Sequence, residues 1–180
     1  MEERRPATFD HLRSKKKPVT RKVVMCFDSD LQDAWELLQL QVRQARSTLT
    51  FRDDELAKRE LDDLLAQAEA MKPQMEEATV EFKFRSLSRK AYDALQSAHL
   101  PTPTQLEEAK KEGGGTPSVN PDTFPPALIA ASCVEPEMTA DDAKALWEDD
   151  ENWSQGELTM LYENAIAVNQ QRRVIDLGKD

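Results

Sequence analysis

The chain has 180 residues, 24 Lys+Arg against 34 Asp+Glu, and a formal net charge of −10. Apolar residues make up 39% and charged residues 32%, where an ordinary globular domain carries about 25% charged. That balance predicts a very soluble protein with a modest core, in one domain or two small ones. It excludes a membrane-spanning helix, because no apolar run approaches the ~20 residues that one needs.

The longest clean apolar run, 23–27, is too short for a signal-peptide core, so the chain is expected to be intracellular and unprocessed. Two cysteines, Cys26 and Cys133, cannot build a disulfide framework. Together with His11 and His99 they lack the spacing of a zinc site.

The charge is unevenly distributed. Residues 1–22 hold eight Lys/Arg and three acids, a net +5, which leaves −15 for the rest. A body that acidic repels phosphates. Residues 1–18 read as a disordered, solvated basic arm. Nucleic acid is therefore an unlikely partner except through this arm, where Arg13 and Lys15-Lys16-Lys17 could meet it. No aromatic residue interleaves those bases, so the stacking half of a single-strand binding signal is missing.

Residues 19–99 read as strand, helical hairpin, strand and short helix. In 19–27, β-branched residues are frequent, and Val19, Arg21, Val23, Met25 and Phe27 share one face of a strand. Asp28-Ser29-Asp30 supplies cap candidates for a helix. From Leu31 the period changes: Leu31, Trp35, Leu38, Val42, Ala45 and Leu49 follow a heptad seam. Asp53-Asp54-Glu55 opens a second helix, in which Ala57, Leu61, Leu64, Ala68 and Met71 repeat the spacing. Pro73 is expected to end it. Two such helices joined by a short turn predict an antiparallel hairpin. In 79–85, Val80, Phe82 and Phe84 alternate with Glu81 and Lys83, which predicts a second strand with those two charges toward solvent. The strands could pair within one chain or between chains, and a two-stranded ribbon needs a cover for its apolar face. Ser86 or Ser88 caps a short helix ending at His99, with Ala91, Tyr92 and Leu95 inward.

Residues 100–121 read as a linker or long loop, marked by Pro101, Pro103, Gly113-Gly114-Gly115, Pro117 and Pro121, with a brief helix over 105–112. Residues 122–171 form a helical C-terminal region. Phe124-Pro125-Pro126 opens a helix with Leu128, Ile129 and Ala131, and Pro136 stops it. Thr139 with Asp142 and Ser154 with Glu157 have capping-box spacing. The first pair precedes Ala143, Leu146 and Trp147; the second precedes Leu158, Leu161, Ile166 and Val168. Residues 172–180 read as a frayed tail. The predicted fold is mainly α: a helical hairpin flanked by two short β-strands, plus a small C-terminal helical bundle.

No catalytic constellation, metal set or cofactor motif is visible, and the chain is not expected to be an enzyme. Gly113 to Gly115 lacks the lysine and the helix start of a phosphate loop. Cys26 and Cys133 read as buried packing cysteines, and His99 as a helix-end residue. Ten acids fall between Glu135 and Glu163 against the single Lys144, without calcium-loop spacing; a solvated face is the simpler reading. Five residues are candidate partner-binding positions. Trp147 and Trp153 either pack between two helices or anchor a partner. Leu38, Val42 and Leu64 either zip the hairpin or accept a helix from a client.

The run Phe84-Arg85-Ser86-Leu87-Ser88-Arg89, then the stretch from Phe124-Pro125-Pro126 through Ser132-Cys133-Val134-Glu135-Pro136, then the Trp147 helix and Trp153-Ser154-Gln155-Gly156-Glu157-Leu158, resembles the tail assembly chaperones of long-tailed bacteriophages, in particular those of actinobacterial phages. The resemblance covers about residues 80–180. It implies a protein of the host cytoplasm, absent from the mature virion, that binds and solubilises the tape measure protein and aids polymerisation of the tail tube protein around it, and it leaves self-association open. It also implies a programmed −1 frameshift near the end of the gene; Leu177-Gly178-Lys179 can be encoded as a slippery stretch. The physical pattern is compatible, because a long helical client exposes apolar surface before assembly, and a carrier must cover that surface and stay charged outside. The alternative readings are a structural tail or head-tail component retained in the particle, and an acidic regulatory module that uses its arm on nucleic acid.

Overall fold

A computed structural model describes residues 8–51, 54–113 and 115–170. The described chain is mainly helical, with a small three-stranded antiparallel sheet in the order β1-β2-β3. It divides into two compact units, one made of residues up to Val23 together with those from Phe82 onward, the other of Val24–Glu81.

The second unit is the hairpin. Helix α2 (Ser29–Phe51) and helix α3 (Glu55–Ala78) pack on each other along the expected seam. Leu38, Val42 and Ala45 are buried on α2, Ala57 and Ala68 on α3, and Leu64 is half-buried. Each helix starts on a side-chain cap: Asp28 Oδ1 accepts from Leu31 N at 2.9 Å, and Asp54 Oδ1 from Ala57 N at 2.7 Å. Pro73 does not end α3. The helix runs through it to Ala78, although the carbonyl of Glu69 loses its usual donor there. The reason is visible in the seam: Met75 and Ala78 continue the four-three spacing beyond Met71, and both are partly covered.

Strand β1 (Thr20–Cys26) and strand β2 (Thr79–Arg85) occupy the expected positions and pair within the one chain. Phe27 N donates to Ala78 O at 2.9 Å at one end, and Ser86 N donates to Val19 O at 2.8 Å at the other, which makes the pair antiparallel. Phe82 and Phe84 are buried, as their alternation requires, whereas Val80, expected on the same face, is exposed near the start of the strand. Lys83, expected in solvent, is half-buried and reaches Glu135 Oε1 at 2.9 Å. Its partner lies on a strand that the sequence does not announce. Strand β3 (Cys133–Glu135) pairs antiparallel with β2, Phe84 opposite Cys133 and Lys83 opposite Glu135, with a register shift between. Cys26 is also less enclosed than expected: it is half-exposed, whereas Cys133 is buried.

The rest of the first unit supplies the larger core. Helices α4 (Arg89–Ala98), α5 (Pro103–Lys111), α6 (Phe124–Ser132), α7 (Ala140–Trp147) and α8 (Gln155–Gln170) follow in chain order. Phe84, Phe124, Leu128, Ile129, Ser132 and Leu161 are its largest fully buried side chains, and α6 packs against α4, α7 and α8. Ser88 caps α4 by accepting from Ala91 N, and Thr139 with Asp142 forms the capping box of α7. Ser154 Oγ accepts from Glu157 N while Ser154 N donates to Glu157 Oε2, the reciprocal pair that starts α8.

Within the stretch 100–121 the brief helix expected over 105–112 is α5, which begins at Pro103. Thr102 and Gln105 form a capping box for α5, which ends where Gly113 takes φ +67°, a turn that glycine makes at no steric cost. The basic arm differs from expectation. Helix α1 (Phe9–Lys15) occupies part of the segment expected to be disordered; Asp10 in its first turn and Arg13 and Lys15 in its last suit the helix dipole. Residues 1–7 of the arm and the tail 172–180, with Leu177-Gly178-Lys179, lie outside the described residues.

Candidate functional site

The site begins with Asn120, a buried polar residue at the end of the proline-marked stretch. Its Oδ1 accepts from Asp122 N at 2.9 Å, from Thr123 N at 3.2 Å and from Gln105 Nε2 at 3.3 Å. Its own N–H donates to His99 O at 2.8 Å, and its carbonyl accepts from Phe124 N at 3.0 Å. One residue thus ties α5, the end of α4 and the start of α6, the side chain reaching α5 and the turn into α6 and the backbone reaching His99. Pro125 and Pro126 occupy the first turn of α6, where their missing N–H groups cost nothing.

Helix α6 is apolar on all sides, and its two faces have different work. Phe124, Leu128, Ile129 and Ser132 point into the core. The opposite face carries Pro126, Ala127, Ala130 and Ala131. Because these side chains are small, that face stands back from its neighbours and leaves an open cleft of about 610 Å³. Leu95 of α4 and His99 just past its end wall it on one side; Met138, Lys144 and Trp147, from α7 and the segment before it, wall it on the other. Asp122, Asp141 and Glu148 supply the carboxylates of its lining, with Lys144 the opposing base.

Aromatic edges hold the walls. Phe124 takes Tyr92, His99 and Tyr162 in edge-on contacts with ring centres 6.3, 6.3 and 6.5 Å away. Tyr162 in turn meets Trp147 edge-on at 6.2 Å. Burial, and to a lesser degree the nearby Tyr92, pushes the Tyr162 phenol up from its ordinary pKa. His99 keeps a structural role: its backbone N–H donates to Gln96 O, and its Nδ1 sits 2.9 Å from Thr123 Oγ1. The Cys133 thiol is likewise pushed up, chiefly by burial, which suits a packing cysteine rather than a nucleophile.

Of the five candidate positions, only Trp147 lines this cleft. Trp153 is half-buried in the turn before α8, where its N–H donates to Asp149 O. Leu38, Val42 and Leu64 lie in the other unit. Leu38 and Val42 are buried in the hairpin, with exposures of 8% and 5%, so a client could reach them only if α2 and α3 parted. Leu95, Met138 and the alanine face of α6 are cleft residues that sequence reading did not single out as a site. Their signal was present: a helix apolar all round has more apolar surface than one core contact needs.

Among the described residues there is no group of three or more His, Cys, Asp or Glu placed to hold a metal ion, and no helix is long and apolar enough to cross a membrane. The cleft presents mainly apolar side chains, with three carboxylates and Lys144 also in its lining. Comparison with known protein families, curated proteins and solved structures gives no match for this chain.

Proposed function

We propose that the protein is a tail assembly chaperone of a long-tailed bacteriophage, working in the host cytoplasm, and that the cleft beside α6 is where it holds its client, the tape measure protein. The carrying observation is a coincidence of segments. Two of the stretches that resemble the chaperone family, 124–136 and the Trp147 helix, supply much of the cleft's lining: Pro126, Ala127, Ala130 and Ala131 from the first, Lys144 and Trp147 from the second. A cleft lined by alanines, Leu95, Met138 and Trp147 suits one or two turns of an amphipathic helix, and a tape measure protein is long and helical. In this reading the hairpin and the small C-terminal bundle are separate modules on a strongly acidic body. That acidity keeps the complex dissolved until tail tube subunits compete for the client. No catalytic step, metal or cofactor enters the reading.

The test is co-expression with a tape measure protein of a long-tailed phage. Ala130→Trp fills the cleft from its alanine side while leaving the core face of α6 untouched. The wild-type chain should keep the client in the soluble fraction, and the filled variant should release most of it to the pellet. Far-ultraviolet circular dichroism and the thermal unfolding midpoint check that the variant is folded. A folded variant that solubilises the client as well as wild type removes the cleft from the mechanism. Recovery of the protein in purified particles at the level of a structural subunit would favour a retained tail component instead.

A further inference from the structure

The hairpin has a second apolar feature, on the side of α2 turned away from α3. The seam uses Leu31, Trp35, Leu38, Val42, Ala45 and Leu49. The opposite face carries Asp33, Glu36, Leu37, Leu40 and Arg43, within which Leu37 and Leu40 are three residues apart and Glu36 and Arg43 seven. Leu37 is 57% exposed and Leu40 43%. Gln32 Nε2 donates to Glu36 Oε1 at 3.0 Å, which holds that carboxylate beside the two leucines. A long helix with one seam against its partner and a second leucine pair in water has more apolar surface than the hairpin uses.

The order of the charges selects an occupant. In heptad terms Leu37 and Leu40 take the two core positions, while Glu36 and Arg43 occupy the same flanking position one heptad apart. In an antiparallel pair of identical helices that flanking position meets itself across the interface. Glu36 then faces Arg43 of the second copy, and Arg43 faces its Glu36. Leu37 packs on Leu40 of the second copy, and the two-fold axis repeats both contacts. A parallel copy would instead set Glu36 against Gln41, with no charge match. Asp33 and Gln44 flank the leucines at the core positions, so the apolar contact is confined to the middle of the helix.

We propose that this face joins two copies of the chain through an antiparallel α2–α2 contact. The pairing is short and reversible, since four leucines form its whole apolar centre. It is independent of the cleft and of the client assigned to it.

Sedimentation equilibrium of the full chain over a wide concentration range tests it. The wild type should show a reversible monomer–dimer equilibrium. Glu36→Arg turns two attractions into two repulsions and should weaken association about tenfold or more; Arg43→Glu should do the same. The double variant Glu36→Arg/Arg43→Glu reverses both partners together and should restore dimerisation to near the wild-type level. Circular dichroism keeps folding in view, and all these positions are exposed. A wild type that remains monomeric throughout overturns the proposal and leaves the face to another partner. A dimer indifferent to the single changes, or not restored by the double one, also overturns it, because the contact then lies elsewhere.

Discussion

Two asparagines hold the first unit together, and they show what single residues contribute here. Asn120 organises the entry to α6. Asn169 does the corresponding work on α8: its Oδ1 accepts from Leu87 N at 2.8 Å, and its Nδ2 donates to Ala165 O at 2.8 Å and to Ser132 Oγ at 3.0 Å. Ser132 is fully buried, so its hydroxyl has no recourse to water. Asn169→Ala would leave the Leu87 N–H and the Ser132 hydroxyl short of a partner, at a cost of about 2–3 kcal/mol, whereas Ser97→Ala on the exposed side of α4 should change stability by less than about 0.5 kcal/mol. Urea unfolding of the two variants checks this, and equal losses would show that Asn169 carries no special weight. The caps were legible in the sequence because their partners are three residues apart. Asp142 is a case in point: the Thr139 hydroxyl, then the Thr139 backbone N–H, hold its carboxyl below the usual range. The asparagines were not legible, because Leu87 is 82 residues from Asn169 and no local period marks either end.

At the scale of elements, periodicity was the reliable guide and proline the misleading one. The seam of α2 and α3 and the Phe82–Phe84 alternation of β2 lie where their spacing puts them, since each repeats one physical requirement along its element. Strand β3 has three residues and no period; it exists because β2 offers an edge, and that edge is not written in its own sequence. Pro73 misled because the penalty for a helical proline is local, while the gain from continuing the seam through Met75 and Ala78 is not. Relieving the penalty should show. Pro73→Ala restores a donor for the Glu69 carbonyl and should stabilise the hairpin by about 1–3 kcal/mol with no change of fold. Thermal unfolding followed at 222 nm reads the effect. A variant less stable than wild type would mean that the proline shape itself is used, for instance to bend α3 along its partner.

At the scale of the whole molecule the two units differ in what they bury. Every fully buried large side chain belongs to the first unit: Phe84, Phe124, Leu128, Ile129 and Leu161. In the hairpin helices the buried set is Leu38, Val42, Ala45, Ala57 and Ala68, three of them alanines. A buried Leu, Ile or Phe contributes about 1.5–3 kcal/mol, and an alanine well below that, so the hairpin should open at lower free energy than the unit containing α6 and α8. Native-state hydrogen exchange measures this directly. Amides in the middle of α2 and α3 should exchange through a sub-global opening, while those of α6 and α8 exchange only on full unfolding; a single free energy for both would refute it. The same measurement bears on how copies associate. An α2–α2 contact ties up the weaker unit, so protection of α2 should rise with protein concentration. Protection of α6, whose cleft takes no part in that contact, should stay fixed. Parallel rises in both would mean that association closes the cleft as well, and the client and the second copy would then compete rather than bind side by side.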